Sequence, residues 1–263
     1  MKNKPTRPFL SIIVPCYNEK ENLERGVLDE VYQFLTKQKF SWEVIISDDG
    51  STDESREIVK KIIKGKENFR LVENRHGGKP SAVWGGIKDA LGEYVLFTDM
   101  DQSTPIAEVL KLTPFMSSHE VVIGSRGMER ENFDVIRKVG SIVFRTFRKT
   151  LMLRSVDDTQ CGFKAFKAEV AREIFPLLQF FKQTKEVKGW KVTSFDVELL
   201  FLAEKFGYKI KEVRVNWADR DVSKGKQRSY FKESKEMLMQ IFRVKLNDLK
   251  GMYAKNQKIA AQN

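Results

Sequence analysis

The 263-residue sequence has little cysteine and no long apolar run. Its two cysteines, Cys16 and Cys161, lie far apart, so there is no disulfide framework and no Cys-x-x-Cys metal or redox motif. No stretch approaches the roughly 20 apolar residues that a transmembrane helix needs, and the run 9–14 is too short for a signal-peptide core. We therefore expect a cytoplasmic protein without a transmembrane helix.

Internal repeats, low-complexity tracts and Pro/Gly-rich linkers are also missing from the sequence. With 41% hydrophobic and 32% charged residues, the composition excludes a disordered, collagen-like or small disulfide-stapled protein. We expect an N-terminal tail over 1–8, one domain over 9–218, and a basic loop with a membrane-facing amphipathic helix over 219–263.

Acidic residues are outnumbered, and the formal net charge is +11. The excess lies in two segments: 135–153 carries five basic residues and no acid, and 220–258 carries eleven basic residues against four acids. Both segments have helical apolar spacing. Each helix could simply pack its apolar side on the domain, but two cationic amphipathic helices together favour contact with an anionic membrane surface.

Short apolar runs alternate with helical patterns along the chain. Strands are predicted over 10–14, 42–47, 69–73, 94–98, 121–124 and about 209–217. Helices are predicted over about 21–37, from 51 with a capping box to Glu54, over about 80–91, from 104 and over about 194–206. The alternation predicts an α/β fold with a mostly parallel sheet and helices on both faces, which binds ligands at the carboxyl ends of its strands.

Polar clusters follow these strand ends. Asp99 and Asp101 flank one residue after a buried-looking strand, where carboxylates can hold Mg²⁺ or Mn²⁺ together with substrate phosphates. Asp49 can accept a hydrogen bond from a nucleobase or ribose, while Ser51 or Asp53 caps the next helix. The glycine-rich turn 77–81 resembles a phosphate-binding turn but lacks the spacing of a P-loop.

Five motifs in order are similar to those of glycosyltransferase family 2, which has the GT-A fold. They are SIIVPCYNE at 11–19, DDGSTD at 48–53, DMD at 99–101, GSR at 124–126 and DTQCGFK at 158–164. Within the family, the segments DTQCGFK, SFDVE at 194–198 and VRVNW at 213–217 most resemble the dolichyl-phosphate β-glucosyltransferase branch of the polyprenyl-phosphate sugar synthases.

The resemblance implies a donor site and an acceptor site. Residues expected to bind the nucleotide sugar are Pro15, Tyr17, Glu19, Asp49, Lys79, Asp99 and Asp101. The last two would hold Mg²⁺ or Mn²⁺. In a related branch a Gln two residues after the second Asp joins the metal; that position is Ser103 here, and Gln102 precedes it. Residues expected to bind the acceptor phosphate are Arg126, Arg137, Ser141, Arg220 and Lys224.

The implied reaction is inverting transfer of a hexose from a nucleotide sugar, UDP-glucose before GDP-mannose, to polyprenyl or dolichyl phosphate. A phosphate monoester is mostly dianionic at neutral pH, so it needs cations to approach the donor diphosphate more than it needs a base. Arg126 and Arg137 would act as catalytic cations, and Asp158 would be the carboxylate nearest the reaction, acting by position and charge.

Alternative interpretations remain for these residues and for the whole chain. Arg126 could pair with a local acid, Arg137 could face water, and Asp158 could cap a helix or pair with Lys164. The acceptor could be a glycan instead of a lipid phosphate. A nucleic-acid-binding protein fits the charge, but Asp-rich strand ends beside the basic segments disfavour it, so we expect no nucleic acid as partner. The expected location is peripheral, on the cytoplasmic face of a membrane.

Overall fold

A computed structural model describes residues 7–127, 156–182, 195–223 and 230–253, with the backbone alone over 230–237. Its centre is a seven-stranded sheet in the order β3-β2-β1-β4-β6-β5-β7. The strands are β1 Leu10–Cys16, β2 Trp42–Asp48, β3 Phe69–Glu73, β4 Tyr94–Phe97, β5 Val121–Ser125, β6 Lys164–Lys167 and β7 Ile210–Arg214. All neighbours pair in parallel except β6, which runs antiparallel to both β4 and β5.

The predicted α/β fold with a mostly parallel sheet is confirmed. Every residue of β1 and β2 is buried, as expected for strands with helices on both faces. Successive β1 side chains enter opposite hydrophobic cores: Ile13 packs with Val83 and Ile87, and Ile12 packs with Val31 and Val109. The cores fix the register of the central strands and therefore the positions of their carboxyl ends.

Eight α-helices lie in the described ranges. They are α1 Lys20–Glu24, α2 Val27–Leu35, α3 Ser55–Ile63, α4 Lys79–Asp89, α5 Val109–Met116, α6 Ala168–Ile174, α7 Phe195–Lys205 and α8 Tyr230–Leu249. Short 3₁₀ turns lie at Ile106–Glu108, Phe175–Leu177 and Gln179–Lys182. The helix expected from residue 104 thus begins with a 3₁₀ turn after Pro105 before it becomes α-helical at Val109.

Two local predictions are wrong. The helix expected over 21–37 is broken at Gly26, whose φ of 85° a side chain would disfavour, into α1 and α2. The capping box from Ser51 to Glu54 does not form, because the Ser51 hydroxyl accepts from the Asn18 backbone NH and α3 begins only at Ser55. The Asp53 carboxylate accepts the Ser55 NH at 3.0 Å in a local turn, but the N-cap position is Glu54 and no side chain caps it, so neither Ser51 nor Asp53 is the N-cap residue of this helix.

Strand β6 was not predicted from the sequence. It is four residues long and has a lysine at each end, so it lacks the apolar alternation of a strand. Lys164 is nevertheless fully buried, because its ammonium group pairs with Asp196 at 2.6 Å and donates to the Cys161 carbonyl at 2.5 Å. The reversed direction of β6 places the segment before it at the carboxyl ends of the parallel strands.

Candidate active site

The turns after β1 and β2 lie side by side at the carboxyl edge of the sheet. The Asp49 NH donates to the Cys16 carbonyl at 2.8 Å, and the rings of Tyr17 and His76 stack with 4.6 Å between their centroids. Glu19 is buried and accepts from the Asn22 amide at 2.7 Å. Parallel strand order therefore gathers the nucleotide-binding candidates of these turns, Pro15, Tyr17, Glu19 and Asp49, in one place.

Asp49 is fully buried and is occupied by contacts within the protein. Its two oxygens accept the backbone NH groups of Gly77 and Gly78 at 3.0 and 2.7 Å, and His76 Nδ1 lies 2.9 Å away. Burial raises the pKa of Asp49 to about 6, although these hydrogen bonds act in the opposite direction. Asp49 thus holds the 76–78 turn in place, and its contact with a base or ribose stays a prediction.

The 76–78 turn leads directly into α4, whose first residue is Lys79. The Lys79 ammonium group forms an ion pair with Asp99 Oδ1, and its side chain is only 11% exposed. Burial would lower the pKa of Lys79, but the charges of Asp99 and Asp196 outweigh it and raise this pKa. The structure thus brings together two predicted donor-site residues, one from a helix start and one from the end of β4.

The other oxygen of Asp99 lies against a glycine. A Cβ added to Gly162 would lie 2.0 Å from Asp99 Oδ2, so no other residue type fits there without moving the carboxylate. Gly162 belongs to the DTQCGFK motif, but nothing in that motif connects it with Asp99. Close backbone approach explains why this segment carries a glycine at that position.

Asp101 lies beside Asp99, and burial followed by the Asp99 charge raises the Asp101 pKa. Its backbone carbonyl accepts from the Arg25 guanidinium at 2.6 Å. Residue 102 has a left-handed backbone, with φ of 51°, and the Gln102 amide group caps the following turn by contacts with Asp99 O and Ile106 N. Arg25 and Gln102 therefore fix the loop that carries the two carboxylates.

Both residues considered for a third metal contact already make hydrogen bonds within the protein. Both ends of the Gln102 amide are used by the backbone, and the Ser103 hydroxyl accepts the Arg220 NH at 3.2 Å. Within the described ranges, no three His, Cys, Asp or Glu side chains are grouped as a metal site. Asp99 and Asp101 still suit a hard divalent cation, since oxygen ligands from two carboxylates, phosphates and water satisfy Mg²⁺ or Mn²⁺.

Arg126 and Asp158 form a closed pair on the far side of β4. Two guanidinium nitrogens donate to the two carboxylate oxygens at 2.8 and 2.9 Å, and the Arg126 NH adds a third bond at 3.0 Å. The guanidinium also lies over the Trp217 ring, 5.7 Å from its centroid. Burial opposes ionisation, but the hydrogen bonds and charge of Arg126 outweigh it and hold the Asp158 pKa well below its usual range.

The alternative that Arg126 pairs with a local acid is therefore confirmed, and the partner is Asp158. Lys164, the suggested partner of Asp158, pairs with Asp196 instead. Asp196 lies at the start of α7, and the buried Lys164–Asp196 pair was missed because neither residue stood out from its motif. The available clue was that one motif ends in a lysine, Lys164, and another carries an aspartate, Asp196, so the two could form an ion pair.

The segment 218–223 crosses the loop of Asp101. Besides the Arg220 contact, the Ala218 NH donates to the Ser103 carbonyl at 2.9 Å, and Asn22 donates to Asp221 at 3.0 Å. The Arg220 guanidinium pairs with Glu30 on α2 at 3.0 Å. That pair uses one guanidinium nitrogen, and the contact of Arg220 with an acceptor phosphate stays a prediction. Arg137, Ser141, Lys224 and the basic helix over 135–153 lie outside the described residues.

Comparison with known proteins identifies the family of this chain. The model of glycosyl transferase family 2 matches residues 11–175. The dolichyl-phosphate beta-glucosyltransferase of Dictyostelium discoideum is 35% identical and aligns over 96% of this chain and 78% of its own. The human protein of the same name is 33% identical over 84% of this chain and 71% of its own. The chain belongs to glycosyltransferase family 2, and it is a glycosyltransferase.

Among solved structures, glucosyl-3-phosphoglycerate synthase from Mycobacterium tuberculosis in complex with Mn²⁺, UDP and glucosyl-3-phosphoglycerate has a TM-score of 0.61 to this chain. It is 19% identical, over 93% of this chain and 80% of that one. The similarity shows that the fold is the GT-A fold.

No helix within the described ranges has the length and apolarity to cross a membrane.

Proposed function

We propose that this glycosyltransferase transfers glucose from UDP-glucose to dolichyl phosphate or a similar polyprenyl phosphate, with inversion at the anomeric carbon. The observation that carries the proposal is identity of 31–35% over most of the chain to three proteins named dolichyl-phosphate beta-glucosyltransferase. The donor-side carboxylates and the Arg126 side of the site lie at one sheet edge, which suits a reaction between two phosphate-bearing substrates.

On the donor side, the residues of the β1 and β2 turns would bind the nucleoside, with the Tyr17–His76 stack as one wall. Asp99 and Asp101 would hold Mg²⁺ or Mn²⁺, which neutralises the leaving nucleoside diphosphate when bound. Lys79, at the start of α4, lies where its charge can reach the same diphosphate. The donor site of this chain thus offers cations to a leaving group that gains charge as the sugar departs.

On the acceptor side, the phosphate is mostly dianionic near neutral pH and needs orientation and charge compensation more than proton removal. Arg126 would provide both, since its guanidinium is fixed by Asp158 and Trp217. Asp158 is ionised through that pair, and its low pKa makes it a poor proton acceptor. Asp158 therefore acts by holding Arg126, which agrees with a positioning role more than with a general base.

A lipid acceptor implies contact with a membrane, and α8 has a surface suited to it. The helix packs on α7 through Ile241 and Val244, both buried. Of the apolar residues at helical spacing in this segment, Leu238, Phe242, Leu246 and Leu249 are exposed, as is Met239. Arg243 and Lys250 are also exposed nearby. An apolar stripe beside cations is typical of a helix at an anionic membrane surface.

The test of the reaction is transfer of radiolabelled sugar to a short dolichyl phosphate in detergent. UDP-glucose, UDP-galactose, UDP-N-acetylglucosamine and GDP-mannose are compared with Mn²⁺, with Mg²⁺ and with EDTA. We expect metal-dependent labelling of the lipid from UDP-glucose. Labelling from GDP-mannose alone would correct the donor. Binding of a nucleotide sugar without labelling of any lipid would favour a family 2 enzyme with a glycan acceptor.

The test of the membrane surface is flotation with vesicles that contain phosphatidylserine. Phe242→Glu with Leu246→Glu should reduce vesicle binding at least about tenfold, because two large apolar side chains leave the interface. Leu91→Glu with Leu110→Glu, at two exposed leucines outside α8, adds the same negative charge as the matched control and should bind as the wild type does. Equal binding by the α8 variant would exclude this stripe as the membrane contact.

A further inference from the structure

The ion pair between Lys79 and Asp99 occupies a carboxylate that a divalent metal would need. Asp99 Oδ1 is in contact with the lysine ammonium group, and Oδ2 lies against Gly162. The Lys79 side chain is almost entirely buried, whereas that of Asp99 is 39% exposed. The Asp99 carboxylate is therefore accessible to a cation from solvent, although the buried Lys79 ammonium group already forms an ion pair with it.

This arrangement has a clear electrostatic reason. Asp99 and Asp101 lie close enough for the charge of one to raise the pKa of the other, and Asp196 also acts on Lys79. Neighbouring carboxylates of like charge repel one another, and a cation beside them offsets that repulsion. Lys79 supplies that compensation when neither metal nor nucleotide is bound. A metal on Asp99 would bring two further positive charges close to the ammonium group, and the repulsion favours its departure.

Lysine suits such an exchange. Its charge is a compact ammonium group on a flexible four-carbon stem, so it can turn from one oxygen partner to another while its Cα stays fixed at the start of α4. A nucleoside diphosphate brings the anionic oxygens that would receive it, and the N-terminus of an 11-residue helix favours anions at that place.

We propose that Lys79 is a stand-in cation: it neutralises Asp99 in the free enzyme, yields that carboxylate to the metal, and moves its charge to the diphosphate of the donor. The inference rests on the proposed function only for its metal and its nucleotide. It makes metal and nucleotide binding mutually supportive, because the metal alone displaces Lys79 without offering it a new partner, whereas the two ligands together provide one.

The experiment measures Mn²⁺ binding by the loss of the free-ion electron paramagnetic resonance signal, and UDP binding by calorimetry at saturating Mn²⁺. Wild type is compared with Lys79→Met and with Lys88→Met. Lys88 is an exposed lysine on the same helix and controls for general loss of positive charge. No lipid or sugar transfer is involved, so failure of the proposed acceptor or donor sugar does not affect the result.

We expect Lys79→Met to bind Mn²⁺ about tenfold more tightly without nucleotide, since a competing cation is gone, and to bind UDP with Mn²⁺ about tenfold more weakly. Lys88→Met should resemble wild type in both assays. A merely structural role for Lys79 predicts the opposite sign in the first assay, because a misplaced Asp99 would weaken Mn²⁺ binding.

Unchanged or weaker Mn²⁺ binding by Lys79→Met in the absence of nucleotide would overturn the proposal. Circular dichroism and thermal unfolding check that the variant is folded. Lys79→Gln, which is neutral and keeps a polar end that can contact Asp99, replaces it where Met is not tolerated, and the same two signs are expected. Stronger Mn²⁺ binding together with unchanged UDP binding would also overturn the proposal, because the second half of the exchange would be missing.

Discussion

Asp101 and Asp158 lie at the same sheet edge, yet their surroundings shift their pKa values in opposite directions. Burial and the neighbouring Asp99 raise the pKa of Asp101, whereas Arg126 overcomes burial and lowers that of Asp158. The counter-ion of Asp158 is Arg126, which donates three hydrogen bonds to the carboxylate. The Asp101 region carries an excess of negative charge, and under the proposed function a cation that enters with the substrate would offset it. One half of the site therefore has its counter-ion within the protein, and the other half would receive one with its ligand.

The largest expected effect is that of Asp101→Asn on catalysis. The amide oxygen can still accept the Ser103 NH, which lies 2.8 Å from Asp101 Oδ1, so the loop should persist. Loss of one of two anionic metal ligands should reduce sugar transfer by about 10³-fold. Unfolding free energy should stay the same or rise, since a repulsive charge is removed.

Sugar transfer and urea unfolding are measured on the same preparation, with Asp89→Asn at the exposed end of α4 as the control. A destabilised Asp101→Asn would contradict the view that this carboxylate is held at a cost in the free enzyme.

Asp158→Asn should show the reverse pattern, with stability as the main loss. The amide nitrogen would face donors of Arg126 and leave a largely buried guanidinium without its anion. We expect a loss of about 3 kcal/mol in unfolding free energy. Urea unfolding of Asp158→Asn, Arg126→Met and the double variant forms a cycle that isolates the pair. Additive losses would show that the two side chains are not coupled.

Gly162→Ala tests how finely Asp99 must be placed. The added Cβ would displace the carboxylate, so Mn²⁺ affinity and sugar transfer should both fall by about 10-fold to 100-fold. Gly65→Ala is the control, because its φ of 82° is strained by a side chain although nothing lies within 4 Å. It should cost stability and leave Mn²⁺ affinity unchanged. Equal metal affinity in Gly162→Ala and wild type would show that Asp99 can move without harm.

The smallest expected effect concerns pH and Asp49. Because its pKa is raised to about 6 in the folded protein, the folded state holds a proton that the unfolded chain releases between about pH 4 and pH 6. This carboxyl therefore makes stability fall as pH rises, by about 1 kcal/mol between about pH 5 and pH 7. Urea unfolding of wild type and Asp49→Asn across this range should differ in slope by that amount; parallel curves would exclude the shift.

The fold and the location of the site were predictable, because parallel strands are marked by apolar runs and their ends by Asp-rich turns. Ion pairs between residues of different motifs were not predictable from apolar runs or from turns. Nothing in the spacing of Arg126 and Asp158 states that they form a pair, and the glycine that makes room for Asp99 lies about 60 residues away from it in sequence. Strand β6 was missed for a related reason, since the buried Lys164 depends on contacts with Asp196 on α7 and with the Cys161 carbonyl.

Arg126 and Asp158 lie 32 residues apart in sequence, and their ion pair ties the residue after β5 to the segment before β6. In polymer terms this pair closes a loop, and the entropic cost of such closure grows only slowly with loop length. The contribution of this pair to stability is therefore expected to depend on the contacts of its two side chains more than on the length of chain between them.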